Sequence, residues 1–167
     1  MFPLLARKAF CSERYDVHRY MNKVSIRLAG WGDAATFLEL EALSFGMRRN
    51  PDVIYFWTPV VDHLWTYKAV ADGKVVGGII VMPTRRGKWY INSLFVHPAY
   101  RRCGVATKLM TRVLKLAGRK EISLEVKTNK EFLLAFYGRF GFEFKRRKKN
   151  YYRDGTDRYL LVRKPAA

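Results

Sequence analysis

The chain switches repeatedly between two hydrophobic periods, and the switch points divide it into short elements of mixed type. Residues 24–28 alternate apolar and polar positions and predict a first strand. Asp33 is placed to cap a helix carrying Phe37, Leu38, Leu40, Ala42 and Leu43, with Gly46 as its stop. Residues 48–58, with Asn50-Pro51 and several aromatics, read as a long loop or irregular helix. Residues 63–71 and 74–82 predict two strands joined by Asp72-Gly73, a dipeptide suited to a tight hairpin. A fourth strand is expected over 89–96. From about Gly104 a helix sets Val105, Leu109 and Val113 on one face and stops at Gly118. Beyond it lie a strand over 122–126, a helix over 130–137 and a last hairpin pairing 142–145 with 158–162, its loop holding Asp154-Gly155. Strands and helices mixed in this way predict one compact α/β or α+β sheet.

Length and composition narrow the picture. The 167 residues suit one domain, read as residues 21–167 behind a basic extension, 1–20. With 49% hydrophobic and 15% aromatic residues the chain has ample core, which excludes disorder for most of it. The longest apolar run, 75–83, is bracketed by Lys74 and Arg85 and falls far short of the ~18 residues of a membrane span, so no membrane partner is expected. Cys11 and Cys103 have no metal-ligand spacing; they predict reduced thiols, no metal, and a cytoplasmic chain.

Charge changes the picture more. Lys and Arg number 32 against 14 Asp and Glu, a net charge of +18, which implies an anionic partner without saying which. Nucleic acid, a ribosome, acidic lipid and a phosphorylated cofactor all satisfy it. The cations are unevenly placed: no carboxylate lies between Gly73 and Lys120, and a second cluster fills 145–149.

The segment Leu94-Phe95-Val96-His97-Pro98-Ala99-Tyr100-Arg101-Arg102-Cys103-Gly104-Val105-Ala106 sits inside the carboxylate-free run. A turn opening a helix leaves several backbone N–H groups unpaired at the positive end of the helix dipole, where phosphate is attracted. Gly104 allows close approach of backbone, and Arg101 and Arg102 add charge. An ordinary strand-to-helix turn is the competing reading of these residues taken alone.

At this point the sequence resembles the GCN5-related N-acetyltransferases (GNAT). Arg101-Arg102-Cys103-Gly104-Val105-Ala106 is similar to their signature for the acetyl-CoA pyrophosphate. Leu124-Glu125-Val126 and Phe136-Tyr137-Gly138-Arg139-Phe140-Gly141-Phe142 are similar to their second cofactor-side segment. The tail from Lys149 to Tyr159 resembles the RimI-like and the archaeal and eukaryotic protein N-terminal acetyltransferases.

The resemblance implies a mixed, mostly antiparallel sheet with about four helices and a cofactor cleft between the fourth and fifth strands. It implies acetyl transfer from acetyl-CoA, without metal, directly to the α-amino group of a protein or peptide N-terminus. Cofactor contacts are implied for Leu94, Phe95, Val96, Arg101, Arg102, Cys103, Gly104, Val105, Ala106, Thr107, Asn129 and Tyr137, although the asparagine is one position earlier than the family pattern. Glu125 as base and Tyr137, twelve positions on, as acid are implied by the same likeness, as is a peptide wall of Tyr55, Tyr151 and Tyr152.

Taken alone, Glu125 fits the solvated face of a half-buried strand and Tyr137 fits a core aromatic. His97, His63 and Glu41 are rival bases. Arg48 and Arg49 are candidates to favour acidic residues downstream of the substrate's terminus. An α-amine of pKa near 8 is about one-tenth neutral at pH 7, against roughly one lysine in a few thousand, so one carboxylate base suits the former. A small-molecule or lysine acetyltransferase of the same fold, and a non-catalytic ribosome- or rRNA-binding module using the basic surface, stand as alternatives.

Overall fold

The computed structural model describes residues 23–46, 65–150 and 155–165. In chain order these carry β1 (Ser25–Leu28), α1 (Ala34–Phe45), β2 (Trp65–Ala71), β3 (Lys74–Pro83), β4 (Trp89–Val96), α2 (Val105–Ala117), β5 (Ile122–Lys127), α3 (Glu131–Gly138), β6 (Glu143–Lys148) and β7 (Arg158–Arg163). The strands hydrogen-bond in the order β1-β2-β3-β4-β5-β7-β6. The β1/β2, β5/β7 and β6/β7 pairs are antiparallel and the β4/β5 pair is parallel, so the sheet is mixed as expected. Three α-helices fall among the described residues, against the four or so expected.

Two compact units can be distinguished: the described residues up to Ile80 with Ser93–Arg112, and Val81–Asn92 with the described residues from Val113 on. In the first, Phe37 and Leu40 of α1 pack with Ile80 and Phe95 into a closed cluster. The Phe37 and Phe95 rings meet edge to face at 5.0 Å, a favoured aromatic geometry. Room for both rings exists because Gly78 carries no side chain. A Cβ there would lie 2.6 Å from Phe95 and 2.8 Å from Phe37. Asp33 stands at the N-cap of α1 without capping it. Its carboxylate accepts from Lys68 Nζ at 2.7 Å and from the Gly30 N–H at 2.9 Å, because an ion pair with a lysine across the unit competes with the local bond. Gly46 ends α1 in the left-handed region, its N–H donating to the Ala42 carbonyl.

In the second unit, Ile122, Leu124 and Val126 of β5 are buried with Trp89, Ile91, Phe142 and Leu161. The last hairpin differs from its expected form. β6 extends through Arg146, Arg147 and Lys148 instead of stopping at 145. Cations are tolerated there because β6 is the terminal strand of the sheet order, where exposed charged side chains also blunt a free edge. Opposite β7, Phe144 pairs with Leu161 and Arg146 with Leu160, so Lys145 is an extra residue, a bulge.

Candidate functional site

The first unit carries the expected anion turn. Val96 ends β4, His97 to Tyr100 form a short turn, and Arg102 and Gly104 both take left-handed φ, 65° and 73°, before α2 begins at Val105. Such φ values fold the backbone so that successive N–H groups converge, the conformation of an anion nest. The first N–H groups of the 13-residue α2, from Val105 to Thr107, have no acceptor inside the helix, whose ladder starts with Lys108 N–H to the Gly104 carbonyl. The residues present therefore fit a pyrophosphate.

The two arginines divide the work. Arg101 Nη2 donates to the Ser44 carbonyl at 2.8 Å, and Ser44 Oγ donates to the Val96 carbonyl at 3.0 Å, tying the turn to the end of α1. Arg102 is exposed and has no acidic partner among the described residues, which leaves its guanidinium for an incoming anion. The sequence does not distinguish these neighbours; only the fold shows which is spent on structure.

Cys103 is buried in the turn, and its Sγ lies 3.4 Å from the Arg101 carbonyl. Cys11 lies outside the described residues.

Two rival bases also lie in this unit. Glu41 accepts from Ser93 Oγ at 2.7 Å, and burial outweighs that bond and raises its pKa above the usual carboxylate value. His97 is held below the usual histidine value by burial and by the charge of Arg101, and its Nδ1 accepts the Ala99 N–H at 3.1 Å. That nitrogen is occupied by a turn. His63 lies outside the described residues, as do Arg48, Arg49, Tyr55, Tyr151 and Tyr152.

The second unit brings Glu125 and Tyr137 into the same compact body. Glu125 is on β5, on the face opposite buried Leu124 and Val126, yet its side chain is only 7% exposed. The simple solvated-face reading therefore fails. Oε1 accepts from Lys148 Nζ of β6, while Oε2 is buried with no hydrogen-bond partner among the described residues. A buried carboxylate oxygen with an empty lone pair is costly unless something else fills it, such as an acceptor amine. Tyr137 is 7% exposed at the end of α3, against Phe136 and Phe142 at ring distances of 5.1 and 5.9 Å. Burial raises its phenol well above the usual tyrosine value, so it remains a proton donor at any working pH.

The β4/β5 pairing ends at Ile91 opposite Leu124, so the parallel ladder does not continue to Leu94, Phe95 and Val96. The Val96 carbonyl is already taken by Ser44. Asn129 is exposed in the β5–α3 turn and bonds to none of the described residues. Sequence reasoning missed Lys148 as a site residue. Its signal was present in the basic run 145–149, but nothing in a charge run says which cation reaches a carboxylate 23 positions away.

The acetyltransferase (GNAT) family matches residues 34–142. N-alpha-acetyltransferase MAK3 of Arabidopsis thaliana is 35% identical over 116 residues, 65% of this chain and 57% of that protein. The chain thus spans little more than half the length of that relative. N-alpha-acetyltransferase 30 of Schizosaccharomyces pombe is 35% identical over 111 residues, 59% of this chain and 74% of its own. Among solved structures, Arabidopsis thaliana Naa50 in complex with the bisubstrate analogue CoA-Ac-MVNAL superposes with a TM-score of 0.71 at 26% identity, covering 84% of this chain and 98% of that one. The ribosomal-protein-S18-alanine N-acetyltransferase of Escherichia coli shares the fold, with a TM-score of 0.75 at 18% identity over 86% of this chain and 95% of that one.

Proposed function

The chain belongs to the acetyltransferase (GNAT) family, and we propose that it is an acyltransferase that moves acetyl from acetyl-CoA to the α-amino group of a protein or peptide N-terminus. The observation that carries the reading is the buried Glu125 carboxylate with one oxygen unpartnered among the described residues. Its relatives named N-alpha-acetyltransferases support the α-amine as acceptor.

Acetyl-CoA supplies an acetyl group already activated as a thioester. The turn from Arg101 to Thr107 holds the pyrophosphate, with Arg102 as the charged contact and the α2 N–H groups as donors. Glu125 Oε2 takes one proton from the acceptor ammonium and relays it to solvent, then takes the second as the neutral nitrogen attacks the thioester carbon, forming the amide bond as the carbon–sulfur bond breaks. Tyr137 gives its hydroxyl proton to the departing sulfur. One carboxylate suffices because an α-amine needs little help to become neutral near pH 7.

Thiol release from acetyl-CoA should depend on peptides with a free N-terminus, and mass spectrometry should place the acetyl on that terminus. Release with polyamines or N-blocked lysine peptides at equal or greater rates would replace the substrate class. Tyr137→Phe should lower kcat by about 10²-fold. Since the buried phenol keeps its proton above the ordinary tyrosine value near 10, wild-type kcat should show no alkaline fall from Tyr137 up to about pH 10. A kcat profile across pH 6–10 in both proteins, with a loss below about threefold for the variant, would remove Tyr137 from the acid role.

A further inference from the structure

We propose that β6 selects acceptor peptides bearing an acidic side chain at their second or third residue, through Arg146 and Lys148. The inference rests on the N-terminal acetyltransferase reading and adds the substrate class.

Cross-strand register shows which side chains share the face of Glu125. Glu125 and Arg146 stand opposite the same residue of β7, Leu160, one on each side. Lys127 and Lys148 likewise flank Arg158 two positions along. Directly opposed residues in a sheet project to one face, so Arg146 and Lys148 lie on the face of Glu125. The bulge at Lys145 makes this so. Phe144, which strict alternation would put with them, pairs with Leu161 and meets the Tyr159 ring at 5.4 Å on the other face.

An open depression of about 360 Å³ along the edge of β6 is lined by Arg146, Arg147, Lys148 and Lys149, with no carboxylate in its wall. It is near the lower end of the range for small-ligand sites and suits one or two side chains better than a nucleic-acid strand. Arg147 is neutralised by Asp157 at 2.6 Å. Arg146 is exposed and has no acidic partner among the described residues.

Lys148 decides who the occupant is. It lines the depression and bonds Glu125, so an occupant sits one lysine side chain from the base. That position belongs to the acceptor, whose amine must reach Glu125, more naturally than to a remote RNA. Glu125 Oε2 receives the acceptor's ammonium while Lys148 keeps its bond to Oε1. An acidic acceptor's carboxylate then meets the cations of Arg146 and Lys148 on the same face, and a neutral acceptor gains no such charge-assisted contact.

The test is kcat/KM for peptides identical except for Glu, Gln or Lys at the second and third positions. Glu peptides are expected to exceed Gln peptides by about tenfold at low ionic strength, with Lys peptides lowest and the spread narrowing as salt is added. Arg146→Glu, a change at an exposed position whose folding is checked by circular dichroism, should invert the order. Equal kcat/KM for Glu and Gln peptides beside vigorous thiol release overturns the proposal and spares the N-terminal reading. A Glu preference that Arg146→Glu leaves intact overturns the assignment to this face. Absence of thiol release with every peptide overturns both readings. Equal turnover of Glu and Gln peptides, together with RNA oligonucleotide binding that Arg146→Glu abolishes, assigns the face to nucleic acid instead.

Discussion

Replacing Glu125 by Gln is expected to lower kcat for peptide acetylation by about 10²- to 10⁴-fold at neutral pH, the contribution of a positioned general base. The substitution is nearly isosteric. The amide oxygen still accepts from Lys148, so the β5–β6 contact is kept, and the pyrophosphate turn lies in separate elements. Melting temperature and acetyl-CoA affinity should therefore change little while turnover collapses. The deficit should shrink as pH rises through the α-amine pKa near 8, because hydroxide and solvent then do what the carboxylate did. Steady-state thiol release from pH 6 to pH 9 measures all of this. A loss below about threefold at pH 7 would exclude Glu125 as the base and return attention to Glu41.

Gly78→Ala is the second large effect, and it acts on stability. A Cβ at Gly78 would stand 2.6 Å from Phe95 and 2.8 and 2.9 Å from atoms of the Phe37 ring. Neither ring has space to retreat: Phe37 is 0% and Phe95 2% exposed, and each is braced by the other and by Ile80. Overpacking of this kind costs about 1–3 kcal/mol, and contacts this close put the expected value near the top of that range. For a chain of this size about 3 kcal/mol corresponds to a melting temperature lower by roughly 6–12 °C. Thermal denaturation followed by circular dichroism reads it directly. Gly30→Ala, where nothing lies within 4 Å of the new Cβ, serves as the control and should stay within about 0.5 kcal/mol. A Gly78→Ala protein that melts with wild type would mean that the aromatic pair yields more easily than close packing allows.

How far the sequence could be read depended on the range of each interaction. Periodicity and turn residues are local, and they placed β4, α2 and the Asp72-Gly73 hairpin well, the last confirmed by left-handed φ at both residues. The anion turn was legible for the same reason, since its glycine and its helix start are adjacent in the chain. Glu125 was harder. Alternation along β5 assigned its side correctly but said nothing of its burial, because the covering contact comes from Lys148. Asp33 failed as a cap through a partner 35 residues away, and Arg101 is tied to a carbonyl 57 residues away. In each case a long-range contact outweighed a local preference of comparable size, and no window along the chain contains both partners.

The bulge at Lys145 bears on how this chain is compared with its relatives. One surplus residue in an edge strand breaks the link between odd-even position and side-chain direction, so counting forward from Phe142 gives the wrong orientation for every cation beyond it. An alignment to a relative whose strand lacks the bulge needs a gap at Lys145. Without that gap, Arg146 and Lys148 would be matched to side chains on the opposite face, and a real difference in substrate choice would be scored as an interchange of like charges.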